Sequence, residues 1–155
     1  MENRGSSHDA FIRIGLAILL LDQLVVDGWN AVHPASFCRY FPTVDLTPPF
    51  SEHHARDFGE ATLGTAVIIL IALIRPRAHF VIPAMLAYSV FSVPHFFFHL
   101  THLEMATTGQ AIFLTGANAT VALLGIAIML VTITRGRAKP VTGPDGVDSR
   151  RARHR

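Results

Sequence analysis

Hydrophobic residues along this chain are gathered into four long runs, near 10–31, 61–74, 79–103 and 111–134, with polar residues concentrated between them. Each run approaches the ~20 residues that an α-helix needs to cross the hydrocarbon layer of a membrane. The second run has a polar lead-in from Glu52 that continues its helical pattern. The pattern therefore predicts helices near 10–31, 52–75, 79–103 and 107–134. Short connections between them favour an all-α four-helix transmembrane bundle, one membrane domain over 10–134, multi-pass in the cell membrane. Composition agrees, since half of the 155 residues are hydrophobic.

Polar punctuation refines this outline. The first run contains Asp22, Gln23 and Asp27 and lacks a small-residue cleavage pattern, so it is expected to stay as a helix and not to be removed as a leader. Residues 33–51 carry Pro34, Pro42, Pro48 and Pro49 among Phe37, Tyr40, Phe41 and Phe50. Proline resists continuous helix and aromatic rings suit the membrane boundary, so this segment is expected to be an irregular cap over one mouth of the bundle. Residues 136–155 are rich in Gly, Pro and Arg. They predict a disordered basic tail over 135–155, drawn to anionic headgroups.

Charge sets the orientation. Arg4 and Arg13 flank the start of the first run, Arg75 and Arg77 fill the second connection, and seven of the thirteen basic residues follow Thr134. Only Arg39 and Arg56 fall on the other side. By the positive-inside rule both termini, including the 1–9 segment, are cytoplasmic, and the 33–51 and 104–110 connections face outward.

Candidate chemistry lies in two trios with the same spacing. His53, Asp57 and Glu60 in the second segment, and His95, His99 and His102 in the third, each stand at i, i+4 and i+7. On a helix of about 3.6 residues per turn each trio occupies one narrow face. Ionisable groups at membrane depth are costly and mark function, so the two faces are expected to meet across an antiparallel helix pair, with His99 near Asp57 and His95 near Glu60. Asp22 and Asp27 of the first segment, and Gln110 and Asn118 of the fourth, reach comparable depths. His54 lies about 100° around from His53 and points elsewhere. Arg56 is placed to pair with Glu52 at i−4 or to turn inward toward Asp57.

Imidazole and carboxylate are ligands for Fe, Zn and Cu, and helix bundles build such sites from inward side chains on facing helices. All six trio residues are thus candidate metal ligands, and a transition metal or a haem is the cofactor expected. Asp57, Glu60 and His99 are the candidate catalytic groups of an outward-opening His/carboxylate site, redox-linked as in a metal-dependent membrane oxidoreductase. A second reading is metal-free acid–base chemistry, an isomerase, cyclase or hydrolase acting on a lipid-like substrate, with Phe91, Phe96, Phe97, Phe98 and Phe113 lining an apolar pocket. A third is a non-enzymatic accessory subunit. A fourth is that Asp57–His99 and Glu60–His95 are pairs that only fix helix register. Small residues in the second and fourth segments, Gly59, Ala61, Gly64 and Thr65, and Gly109, Gly116, Ala122 and Gly125, speak for close helix packing. Cys38, the single cysteine, has no intramolecular disulfide partner and fits as a small apolar filler. No phosphate loop, nucleotide fingerprint, G-x-S-x-G or H-E-x-x-H occurs, and the basic end lacks interleaved aromatics, which speaks against nucleic acid as a partner. The expected partners are the lipid bilayer, an apolar small molecule or quinone, and further subunits in a homo-oligomer or larger complex.

His33-Pro34 at the end of the first segment, Phe37 with Phe41-Pro42, and Arg56-Asp57-Phe58-Gly59 opening the second resemble the DoxX-like group of small bacterial four-helix membrane proteins. The resemblance covers the order of elements along 10–134. It implies a redox or quinone-linked accessory role in a membrane oxidoreductase complex, and carries over no catalytic residue.

The orientation is tested by single-cysteine labelling with an impermeant reagent applied from outside. Positions in 37–50 are expected to react and those in 140–150 to be protected; the reverse pattern overturns it.

Overall fold

The computed structural model describes residues 3–46 and 49–137, with the side chains of 3–6, 136 and 137 left out. The expected tail over 138–155 and the first two residues lie outside the described residues. Five α-helices and one 3-10 turn make up the chain: α1 (Asn3–Val32), α2 (Pro34–Tyr40), the turn Val44–Leu46, α3 (Glu52–Ile74), α4 (Ala78–Thr101) and α5 (Thr108–Arg137). The four long helices match the four hydrophobic segments, and α1 begins seven residues before its expected start. Three of them, α3, α4 and α5 over Thr108–Arg135, are long and apolar enough to cross a membrane, which is compatible with an integral membrane protein.

Local signals explain the helix boundaries. Ser51 accepts a hydrogen bond from the His54 amide at the start of α3, the side-chain capping that satisfies an orphan amide. Thr107 and Gln110 form a capping box at the start of α5: the Thr107 amide donates to Gln110 Oε1 at 2.9 Å and the Gln110 amide reaches back to Thr107 Oγ1. Gln110 is spent on its own helix and does not line the cavity described below. The proline-rich 33–51 segment is more ordered than expected, because Pro34 occupies the first turn of α2, where a missing amide hydrogen costs nothing and a fixed φ helps.

α1 packs on α3 and α5, and α4 packs on the same two helices, so α1 and α4 stand diagonally across the assembly. Asp9 of α1 forms an ion pair with Arg135 of α5, whose Nη2 also donates to the Pro76 carbonyl at 2.9 Å. These bonds hold the starts of α1 and α4 and the ends of α3 and α5 at one end of the molecule. At that end Ile12, Leu16, Leu19, Ile69, Ala72, Val81, Ala84, Met85, Tyr88 and Ile128 form one apolar core.

The surface is the reverse of a water-soluble protein's. Ile14, Ile18, Leu21, Leu24 and Val25 of α1 are exposed, as are Val67, Ile68, Leu70 and Ile71 of α3, while Gln23, Asp27, Asn30, Thr62 and Ser92 are buried. Apolar surface covering the outside of four helices has no reason to persist in water and suits contact with lipid.

Rotation of α3 is set by Gly59. A Cβ there would stand 2.7 Å from the Ala31 amide nitrogen and 2.8 Å from the Asp27 carbonyl oxygen of α1, so only glycine permits this approach of two backbones. Around it, Asn30 Nδ2 donates to the Ala55 carbonyl at 2.9 Å, and Arg56 Nη1 donates to the Ala31 carbonyl at 2.9 Å. Arg56 also binds Glu52 Oε1 at 2.8 Å, so it clamps the α1 C-terminus and does not reach inward. Gly64, grouped with Gly59 as a packing residue by sequence, has open space where its Cβ would be.

The two glycines are therefore expected to respond oppositely to alanine. Gly59→Ala should cost about 1–3 kcal/mol by overpacking, whereas Gly64→Ala should be neutral or gain up to about 1 kcal/mol of helix propensity. Thermal unfolding of the detergent-solubilised variants by circular dichroism reads the difference; equal effects would contradict the described α1–α3 contact.

Candidate functional site

At the end opposite the apolar core, the four long helices and the α2 segment enclose a cavity of about 260 Å³. Its walls come from every element. α1 contributes Asp22, Gln23, Val26, Asp27 and Asn30; α4 contributes Tyr88, Phe91, Ser92, His95 and His99; α5 contributes Phe113, Leu114, Ala117, Asn118 and Val121; α3 contributes Phe58. Phe37, Phe41, Pro42, Thr43 and Val44 close the remaining side, so the segment read as a cap does wall the cavity.

Two polar stripes face each other across this space. Gln23, Asp27 and Asn30 stand at i, i+4 and i+7 on α1, and Tyr88, Ser92, His95 and His99 continue the same periodicity on α4, so each set shares one helix face. On α1 Asp27 is 3% exposed and its carboxyl accepts a hydrogen bond of 2.6 Å from Nε2 of Gln23, a residue 4% exposed. On α4 the His95 ring packs between Phe91, at 4.8 Å between centroids, and His99, at 4.5 Å. Asn118 turns back to donate to the Leu114 carbonyl of its own helix at 2.8 Å.

Three residues that line the cavity each carry a buried polar atom without a partner among the described residues: Gln23 Oε1, Ser92 Oγ and His99 Nδ1. A buried polar group left unpaired costs about 1–3 kcal/mol, so each is a destabilising feature beside the cavity.

The cap is built from aromatic packing. Trp29 meets Phe37 and Phe41 edge-on at 5.8 and 6.3 Å, those two rings stack at 4.8 Å, and Trp29 Nε1 donates to Ser36 Oγ at 3.2 Å. Between α2 and the 3-10 turn, buried Thr43 has a φ of 73°. A β-branched residue in the left-handed region is strained, and such strain persists only where the surroundings over-determine the backbone.

The expected meeting of the two trios does not occur. His53, Asp57 and Glu60 are exposed, with His53 and Asp57 side chains 89% and 60% accessible and joined only to each other at 3.3 Å. The reason is the Gly59 contact: it turns Ala55, Gly59, Thr62, Ala66 and Ile69 inward, and the trio lies roughly opposite on a helix of 3.6 residues per turn. Of the other trio, His95 and His99 line the cavity, but His102 is exposed at the end of α4, stacked on Phe98 and donating from Nδ1 to the Phe98 carbonyl at 2.8 Å. His54 is exposed, as expected. Among the described residues no group of three or more His, Cys, Asp or Glu side chains is placed to hold a metal ion.

Asp27, expected at a depth comparable to the trios, lines the cavity, and Gln23, Asn30, Tyr88 and Ser92, none of them a candidate site residue by sequence, line it too. Their signal was present in the chain: 23, 27 and 30 repeat the i, i+4, i+7 spacing of the trios within an apolar run. Comparison with protein-family models, curated proteins and solved structures finds no match to this chain.

Removing Gln23 and removing His53 should separate the buried stripe from the exposed one. Gln23→Ala removes a hydrogen-bond donor from the Asp27 carboxyl and is expected to cost about 1–3 kcal/mol, while His53→Ala should stay within about 0.5 kcal/mol. Chemical or thermal unfolding in detergent measures both, and a larger loss at His53 would reverse the assignment of faces.

Proposed function

We propose that this is a multi-pass integral membrane protein whose cavity binds a small amphiphilic molecule, apolar in body and hydrogen-bonding at its head. The observation that carries the reading is that three residues with unpartnered buried polar atoms, Gln23, Ser92 and His99, line one cavity together with five phenylalanines and further apolar side chains. Ligand pockets combine this predominance of apolar lining with a few placed polar groups. The ligand's head would sit between the α1 and α4 stripes, exchanging hydrogen bonds with Gln23, Ser92 and His99, and its body would lie against Phe58, Phe91 and Phe113.

The same arrangement supports proton transfer as the chemistry. Asp27 on one wall and His95 and His99 on the other give a bound molecule a carboxyl and an imidazole on opposite sides, the pairing used for general acid–base catalysis. Basic residues gathered at the core end of the four helices, Arg13, Arg75, Arg77 and Arg135, support a cytoplasmic placement of that end, so the cavity belongs to the outer half of the membrane.

The test is direct. Wild-type protein extracted in native lipid discs should retain an amphiphile enriched over the bulk lipid when its contents are analysed by mass spectrometry. Ser92→Phe, which fills the cavity from α4, should lose that molecule while keeping the helical circular-dichroism spectrum. Identical contents in wild type, variant and bulk lipid would sink the proposal.

A further inference from the structure

We infer that the guest of this cavity is an organic cation, a protonated or quaternary amine on an apolar body; the inference rests on the pocket reading above and names its ligand class. The α1 wall is made of acceptors. Asp22 and Asp27 contribute carboxyl groups, Gln23 presents an unpartnered Oε1, and Asn30 spends its amide donor on the Ala55 carbonyl. Gln23 Nε2 donates to Asp27 and the Thr62 hydroxyl lies within its reach, whereas an ionised carboxylate accepts about four hydrogen bonds. What this wall lacks is donors and positive charge.

Among the described residues no lysine or arginine lines the cavity. Among the described residues, the ion pairs join His53 to Asp57, Arg56 to Glu52 and Arg135 to Asp9, and none involves Asp22 or Asp27. The other titratable groups facing the space are Tyr88, His95 and His99 on α4. The two imidazoles stand 4.5 Å apart between ring centroids, and like charges that close disfavour each other, so at most one positive charge opposes two carboxyls. An ionised carboxyl here has no fixed counter-charge, so an anionic guest is repelled, while a cationic one offsets the charge that otherwise only a proton on the carboxyl would neutralise.

The remaining walls suit the body of such a cation. Phe37, Phe41, Phe58, Phe91 and Phe113 surround the space, and the negative faces of aromatic rings attract ammonium groups, quaternary ones included, by about 0.5–2 kcal/mol each when desolvated. Carboxyls and phenylalanine rings lining one cavity thus select charge and apolar surface together. Protons compete for the same carboxyls, so cation binding should tighten as the pH rises.

The experiment uses full-length protein in lipid discs and the fluorescence of Trp29, the one tryptophan of the chain, whose ring abuts the cap rings Phe37 and Phe41. The probes are benzyltrimethylammonium and neopentylbenzene, which share a shape and differ in the charge at one atom. The cation should bind saturably and at least about tenfold more tightly than its neutral counterpart. Binding of the cation should strengthen as the pH rises. Asp27→Asn should remove most of the preference for the cation over the neutral probe, and Asp22→Asn provides a second reading should Asp27→Asn fail to fold. If the neutral probe binds as tightly as the cation, with no effect of pH or of either substitution, the cation inference falls and the pocket reading stands. If neither probe binds saturably, and discs of Ser92→Phe and wild type hold the same molecules, both fall.

Discussion

The contact of α1 with α3 at Gly59 governs the arrangement of everything above the apolar core. Two backbones meet where a single methyl group would collide with the Ala31 amide and the Asp27 carbonyl. Asn30 and Arg56 then bond across the same seam to carbonyls of the opposite helix. Close approach fixes the rotation of α3, and rotation decides which of its side chains are interior. Because Asp27 belongs to the seam through its backbone, its side chain is held at a defined place on the cavity wall.

Polarity is distributed so that the inside at one end is wetter in character than the outside. Large aliphatic residues cover the exposed faces of α1, α3 and α5, while Gln23, Asp27, Asn30, Thr62 and Ser92 are enclosed. In a lipid surround this is the stable arrangement, since an exposed carboxyl or amide there has no water to bond. The two ends of the molecule divide the work. Core residues from Ile12 to Ile128 give tight packing at one end, and the polar stripes with the aromatic cap hold open a volume at the other. A cavity costs contacts, so the cap's ring stacking and the strained Thr43 are features of a region shaped for something other than maximal stability.

Exposed His53, Asp57 and Glu60 illustrate how similar patterns acquire different meanings. Their spacing is the same as that of Gln23, Asp27 and Asn30, and both stripes lie on helices of apolar composition. One faces a cavity and the other the surroundings. His102 makes the same point within α4, where it continues the His95 and His99 register and yet serves as a terminal cap on Phe98. The helix ends there, at His102, and a side chain at an end finds its nearest acceptor in its own last turn.

Periodicity and composition determined the number, extent and apolar nature of the long helices, because the length of a hydrophobic run is a one-dimensional property that a bilayer reads directly. They also pointed to His95 and His99 of α4 and Asp27 of α1 as interior, by the same argument that misplaced His53, Asp57, Glu60 and His102. Small residues marked α3 as a packing helix, but did not say that Gly59 packs and Gly64 does not. Which face of α3 turned inward, and hence that α1 and not α3 supplies the carboxyl stripe opposite His95 and His99, was decided by tertiary contact alone. A helix's rotation about its axis depends on the backbone that lies against it, and that neighbour, 28 to 32 residues away along the chain for Gly59, leaves no trace in the spacing of side chains on α3 itself.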